Sequence, residues 1–258
     1  MNEQVVHAHG LTKAFGGGAQ QVWALRGVDL NIGEGEFLAL VGPSGSGKTT
    51  LLNLIGALDA PTAGELVVLG QTIGTLSRRQ RALLRLRSIG FVFQAYNLVP
   101  VLTAVENVEF VLELQGLGAE RHARAMASLD ELGLADLANR RINELSGGQQ
   151  QRVAVARATA AHPKLVLADE PTANLDGENA EILMHLMGEL RTRHGMTFLF
   201  STHDPRVVKH AQRVVTLVDG KVARDDRQPG ESPHEILPAE KGHAWAGPEP
   251  RRLSSAPR

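Results

Sequence analysis

Hydrophobic positions along this chain follow two alternating rhythms. Short, almost continuous apolar runs recur at 36–41, 89–93, 165–168, 197–202 and 213–218. Runs of this length between polar or glycine-rich segments read as strands buried on both faces, the habit of a parallel sheet. Segments 50–56, about 120–132 and about 177–193 read as helices, and Asp204-Pro205 starts a short one as N-cap and first helical residue. The N-terminal part differs. Val28-Asp29-Leu30-Asn31-Ile32 alternates apolar with polar, so residues 1–35 are expected to form short antiparallel strands. Gly33-Glu34-Gly35 then turns the chain into the first buried run. Pro61-Thr62-Ala63-Gly64 predicts a turn, 65–70 a strand and 221–223 an edge strand. From about 95 to 162 there is no clear strand. Thr103-Ala104-Val105-Glu106 is a capping box, with Val105, Val108 and Leu112 at helical spacing. The expected fold is α/β: a core with a parallel sheet over residues 1–228, an N-terminal antiparallel β layer, and a helical lobe inserted at about 95–162.

Composition narrows the setting. With 258 residues the chain is long enough to bury one substantial core and a smaller lobe. Lys and Arg total 27 against 28 Asp and Glu, a net charge of −1, which gives no overall pull toward nucleic acid. Cysteine is absent, which excludes disulfides, thiol catalysis and thiolate metal sites. The first residues lack the build of a secretory signal, and no apolar run approaches the roughly 20 residues of a membrane span. A soluble, cytoplasmic chain is expected, one that would need another protein to hold it at a membrane. Segment 77–87 reads as an exposed basic helix whose charge is a solvated face. Segment 229–258 holds half of the 12 prolines, no apolar periodicity and Arg251-Arg252, and is expected to be disordered.

The most specific stretch is Gly42-Pro43-Ser44-Gly45-Ser46-Gly47-Lys48-Thr49-Thr50, which fits G-x-x-x-x-G-K-[ST] between a buried strand and a helix. Glycines let backbone N–H groups approach phosphate oxygens, and the helix opening at Gly47 adds the positive end of its dipole. Lys48 reaches the β- and γ-phosphates and Thr49 offers a hydroxyl to Mg²⁺. At average glycine usage, a chain this long would show the bare pattern by chance about once in a hundred. This is a nucleotide-phosphate site, and its P-loop makes the core that of a P-loop NTPase.

A second glycine motif, Leu145-Ser146-Gly147-Gly148-Gln149, opens a helix through Arg157. Ser146 and Gln149 have capping-box spacing, a sufficient structural reason for themselves. Two consecutive glycines cost helix stability, and a second phosphate-contacting surface accounts for them better. Asp169-Glu170 ends a buried strand. Beside a P-loop, Asp169 would complete the protein shell of the metal and Glu170 would polarise an attacking water. Gln94 and His203 also end strands, where polar residues often simply meet solvent, though Gln94 lies where open α/β sheets bind ligands. Asp176, before a helix, has the alternative of a plain N-cap. Phe15 and Trp23 could each stack on an adenine ring. Packing in the β layer is an even alternative for Phe15 and the better one for Trp23.

Together these residues resemble the ATP-binding subunit of an ABC transporter, over roughly residues 5–224. The phosphate loop is Gly42 to Thr50, the glutamine loop lies at Gln94, and the signature is Leu145 to Gln149. The Asp-Glu pair is Asp169-Glu170, the D-loop Asn174-Leu175-Asp176, and the switch histidine His203, all in the family's order. The segments around Gln94, Leu102 and Ala168 look closest to the branch of lipoprotein-releasing, macrolide-efflux and cell-division ATPases. The resemblance implies the ABC ATPase fold, hydrolysis of ATP with Mg²⁺, and a head-to-tail homodimer with each ATP between one P-loop and the partner's signature. It places Ser146, Gly147, Gly148, Gln149 and Asp176 at nucleotide. Ser146 and Gly148 would contact the partner's γ-phosphate, His203 the γ-phosphate in cis, and Gln94 the metal and water. It also raises Phe15 above Trp23, since the family stacks an aromatic there. It implies a separate permease chain, a location on the inner face of the membrane through that permease, and no nucleic-acid partner. Two other readings use the same cassette: a nucleic-acid- or ribosome-acting relative, and an ATP-switched division-site protein. The first typically has two cassettes or a long coiled coil between P-loop and signature, which this chain lacks. The apolar, non-periodic stretch 95–102 either folds into the helical lobe or, as the resemblance implies, receives the permease beside Gln94. Leu98 and Leu102 are the residues on which that choice turns.

Overall fold

The computed structural model describes residues 4–17 and 20–227. The proline-rich segment 229–258, expected from composition to be disordered, lies outside them. The chain builds two sheets with helices around them. The first is antiparallel, in the order β2-β1-β4-β5, from β1 (Gln4–Phe15), β2 (Val22–Gly33), β4 (Ala63–Val68) and β5 (Gln71–Thr72). The second has the order β10-β9-β3-β8-β7-β6. Its parallel strands are β3 (Phe37–Val41), β6 (Ile89–Val92), β7 (Leu165–Asp169), β8 (Thr197–Ser201) and β9 (Arg213–Val218), and β10 (Lys221–Arg227) adds an antiparallel edge.

Two details of the β layer correct the sequence reading. Its first strands are long, 12 residues each, because register shifts let one strand bend without ending. One shift spans Gly10, whose φ of +55° breaks the alternation that would have marked the strand. In addition, 63–64 is strand and 69–70 is turn, the reverse of the expectation. A β-carbon on Gly64 would lie 2.3 Å from the Gly10 carbonyl oxygen, so glycine is there for strand approach. Leu69 and Gly70, both at positive φ, make the actual turn.

The parallel sheet divides the core by its period of two. Phe37, Ala39, Val166, Ala168, Phe198 and Phe200 face one apolar cluster, shared with the helices on that side. Leu38, Leu40, Leu165, Leu167 and Leu199 face a second, shared with the antiparallel sheet and α1 (Lys48–Ile55). Full burial stabilises each of these leucines, valines and phenylalanines by about 1.5–3 kcal/mol. At the edge, the almost fully buried Arg213 pairs with Asp225 at 2.6 Å and Glu36 at 2.8 Å, tying β10 to the sheet. The guanidinium holds the Asp225 carboxyl below the usual carboxylate range.

Helix α2 (Arg78–Ser88) carries five arginines and has no fully buried residue, but it is solvated only in part: Leu84 packs on the core and Arg85 donates to the Ala57 carbonyl at 2.6 Å. Between β6 and β7 the described chain forms helices and one isolated bridge. These helices are α3 (Ala104–Leu114), α4 (Arg121–Glu131) and α5 (Gly147–Thr159), with short turns between. Thr103 and Glu106 complete the box that caps α3, and Val105, Val108 and Leu112 are buried beneath it. Helix α6 (Gly177–His194) and the short α7 (Pro205–Val208) flank β8 in sequence.

Candidate functional site

The carboxyl ends of β3, β7 and β8 lie side by side, and the residues just beyond each strand build the site. Open α/β sheets bind ligands at such ends. After β3, residues 42–47 loop back to open α1. Gly42 (φ +148°) could not carry a β-carbon, which would lie 2.1 Å from the Leu217 carbonyl oxygen. Gly47, at φ +103°, is the N-cap of α1, with no side chain bonded to the helix start and no acidic residue in its first turn. The first N–H groups of this helix are therefore left to an anion. Lys48 folds back so that Nζ donates to the carbonyls of Gly42 at 2.8 Å and Pro43 at 3.1 Å, which puts its charge over the loop.

After β7 and β8 come the polar groups. Asp169 Oδ1 accepts from Thr49 Oγ1 at 3.3 Å and from Ser201 Oγ at 2.6 Å. Ser201 Oγ in turn accepts from the Glu170 backbone N–H at 3.0 Å. Glu170 has φ +49°, a conformation that costs a residue with a β-carbon about 1–2 kcal/mol. Its carboxylate accepts from His203 Nδ1, 3.0 Å from both oxygens. Gln94 is exposed, and its backbone carbonyl accepts from Asn174 Nδ2 at 2.9 Å.

One cleft of about 580 Å³ joins these groups: Gly42, Pro43, Ser44, Gly45, Gly47, Lys48, Thr49 and Thr50 with Gln94, Asp169, Glu170, His203 and Ala24. That volume suits a nucleotide-sized ligand. Ser46 is buried beneath the loop, its hydroxyl without a protein partner. Among the described residues no group of three or more His, Asp or Glu could hold a metal ion. Thr49 and Asp169 supply oxygen donors of the kind Mg²⁺ takes, and the rest of its shell would come from phosphate and water. Sequence reasoning missed Ser201 and Ala24. A serine ending the strand beside the Asp-Glu strand was the available signal for Ser201. Nothing local marks Ala24.

Other singled-out residues lie outside this cleft. Ser146 caps α5, its hydroxyl accepting from Gln149 N at 3.3 Å while Gln149 Oε1 accepts from Ser146 N at 2.8 Å. A β-carbon on Gly148 would lie 2.6 Å from Asn179 Oδ1, so close packing on α6 already demands glycine there. That weakens the argument that two glycines imply an anion. Asp176 is the N-cap of α6, accepting from Asn179 N at 2.9 Å, a bond that holds its carboxyl below the usual range. Phe15 is 47% exposed, with Lys13 Nζ 5.1 Å from its ring centre, and Trp23 is 41% exposed. Neither is a core residue, against the packing favoured for Trp23.

Stretch 95–102 divides between the two expectations. Leu98 is half-buried against the helical lobe, whereas Val101 is 75% exposed. The buried Asn107 holds the loop by accepting from Val99 N at 2.8 Å and donating to the Val99 carbonyl. Arg157 of α5 donates to the carbonyls of Tyr96 (2.9 Å) and Asn97. Beside the loop is a mostly apolar groove of about 310 Å³, lined in part by Phe91, Phe93, Val99, Phe110 and Arg157. Among the described residues no helix is long and apolar enough to cross a membrane.

A family model described as ABC transporter matches residues 25–173. The lipoprotein-releasing system ATP-binding protein LolD 1 of Caulobacter vibrioides is 46% identical over 88% of this chain and 97% of its own length. The macrolide export ATP-binding/permease protein MacB of Marinobacter nauticus is 45% identical over 86% of this chain, which spans only 34% of that longer protein. Among solved structures, an ATP-binding cassette from Methanocaldococcus jannaschii, a dimer in a post-hydrolysis state bound to ADP and Pi, superposes with a TM-score of 0.80. It is 44% identical, with 88% of this chain and all of that one covered. The chain belongs to the ABC transporter family, as an ATP-binding and ATP-hydrolysing subunit of the branch that includes LolD and MacB.

Proposed function

We propose that this subunit powers a separate membrane permease of the lipoprotein-release or efflux type, working as a homodimer that closes around two ATP molecules with Mg²⁺. The observation that carries the reading is the linked set Thr49–Asp169–Ser201–Glu170–His203 beside an α1 start that no side chain caps. The loop from Gly42 to Thr50 would cradle the phosphates, with Lys48 turning from the loop carbonyls to the γ-phosphate. Bound Mg²⁺ would neutralise charge on the phosphates, held on the protein side by Thr49 and Asp169, with Gln94 near it. Glu170 takes the proton of the attacking water, and His203 orients the Glu170 carboxylate and reaches the γ-phosphate. Ser146, Gly147, Gly148 and Gln149, outside their own cleft, would serve the partner's nucleotide, with Asp176 at the same seam. Two-fold symmetry makes two such sites from one P-loop and one signature per chain. Phe15, about half exposed, would stack on adenine.

The groove between Phe91 and Phe110 would seat a permease segment, which holds the subunit on the cytoplasmic face of the membrane. Because Leu98 is half-buried, the exposed Val101 and Phe110 are the better probes. Val101→Asp should keep folding and ATP binding but lose permease co-purification and permease-stimulated hydrolysis. Intact stimulation would move the docking site elsewhere. The reading as a whole is tested by Glu170→Gln. ATP binding should persist while hydrolysis falls at least ~10²-fold, the usual contribution of a general base. The ATP-bound dimer should then accumulate on size-exclusion chromatography, and near-normal turnover would remove Glu170 from its role.

A further inference from the structure

Glu170 is held in its left-handed conformation by contacts on both sides. On one side Ser201 Oγ accepts from its N–H at 3.0 Å. On the other, the carbonyl of the next residue, Pro171, accepts from Gln151 Nε2 at 2.6 Å. Gln151 is fully buried on α5, just past the signature, and its own Oε1 has no protein partner. A buried amide whose oxygen meets no protein group gains little for stability alone, since an apolar side chain of the same shape would fill the same space. What this side chain does achieve is a short bond to one particular carbonyl. The proline ring fixes φ at position 171, so few rotations separate that bond from Glu170.

We infer that Gln151 is a positioning residue for hydrolysis: through the Pro171 carbonyl it ties the signature helix to the backbone that aims Glu170. The inference rests on Glu170 being the general base. It makes the aim of that carboxylate depend on where α5 sits. The start of α5 is in turn seated on α6, where Gly148 leaves no room for a β-carbon beside Asn179.

Gln151→Met keeps the length and volume of the side chain but removes both the donor and the orphaned oxygen. Its melting temperature should be unchanged or raised, with ATP affinity and KM within about twofold. Its kcat should fall by roughly tenfold or more, the scale at which small misplacements slow reactions. A merely structural glutamine would instead lower the melting temperature and leave kcat alone. The second arm is a double variant. In a Glu170→Gln background, adding Gln151→Met should lower the residual rate no further, because the carboxylate it positions is gone. If the methionine variant does not fold, Gln151→Leu carries the same comparison. A full kcat in the single variant, or a second independent loss in the double one, overturns the inference. Undiminished turnover in Glu170→Gln alone would instead overturn the reading of the base.

Discussion

Among the described residues two helices begin on glycine-rich turns, and they begin differently. Helix α1 starts from Gly47 in a left-handed conformation, with no side chain on its first N–H groups. Helix α5 starts from Ser146 in ordinary extended geometry and is capped by its own Ser146–Gln149 box. The glycines differ in kind as well. Gly42, Gly45 and Gly47 have positive φ, so the backbone path itself needs them. Gly147 and Gly148 do not, and only Gly148 is crowded hard, by Asn179. On the proposed reading the first helix start is an anion seat already formed in a single chain. The second already satisfies part of its own need, and a phosphate there would have to compete with the cap. On the proposed reading, such an end binds only when a partner delivers the nucleotide.

The largest effect is expected from Ser146→Arg. This variant should bind ATP as a monomer yet hydrolyse none, because the added side chain blocks the partner's nucleotide. Mixed with Lys48→Ala protein, it should regain part of the activity, since one composite site in each heterodimer then carries neither change. Proven heterodimers without any recovery would argue against action in trans. A paired glycine test comes next. Gly42→Ala should weaken ATP binding about fivefold or more, from roughly 1–3 kcal/mol of strain at that backbone, read by nucleotide titration. Gly147→Ala should leave cis binding intact and raise the melting temperature slightly, alanine being the better helix former by about 1 kcal/mol. Its hydrolysis should still fall if that glycine admits a phosphate. The smallest effect is expected at Phe15. Phe15→Ala should weaken ATP binding by about 1 kcal/mol, with Phe15→Tyr restoring it. Unchanged affinity in Phe15→Ala would remove the stacking role.

What was legible in the sequence was local. The P-loop, the capping boxes at Thr103 and Ser146, and Asp169 at a strand end each carry their signal within a few neighbouring residues. The buried strands were legible because both faces of the parallel sheet are covered, leaving runs without polar interruption. The misses all depend on a distant partner. Gly64 looked like a turn because the Gly10 carbonyl it must clear lies on another strand. Ser201 matters only because β8 runs beside β7 in a register that sets it opposite Asp169. Gln151 was one polar residue in a helix until Pro171 came within reach of it. Leu98 and Val101, three apart in one apolar loop, part company because the loop lies across the helical lobe.

The place of β3 in its sheet also sets a timetable for making the protein. This strand, which leads into the phosphate loop, bonds only to β8 and β9, strands from the far end of the described chain. On the ribosome, its neighbours do not exist for the roughly 10–35 s that the intervening residues take to synthesise at ordinary rates. During that wait the apolar run from Phe37 to Val41 has no sheet to join and offers a surface to chaperones or to wrong pairings. The proposed nucleotide seat is thus encoded early and becomes usable late. A nascent chain stopped before Thr197, with neither neighbour of β3 made, should carry the glycine loop and still fail to bind ATP.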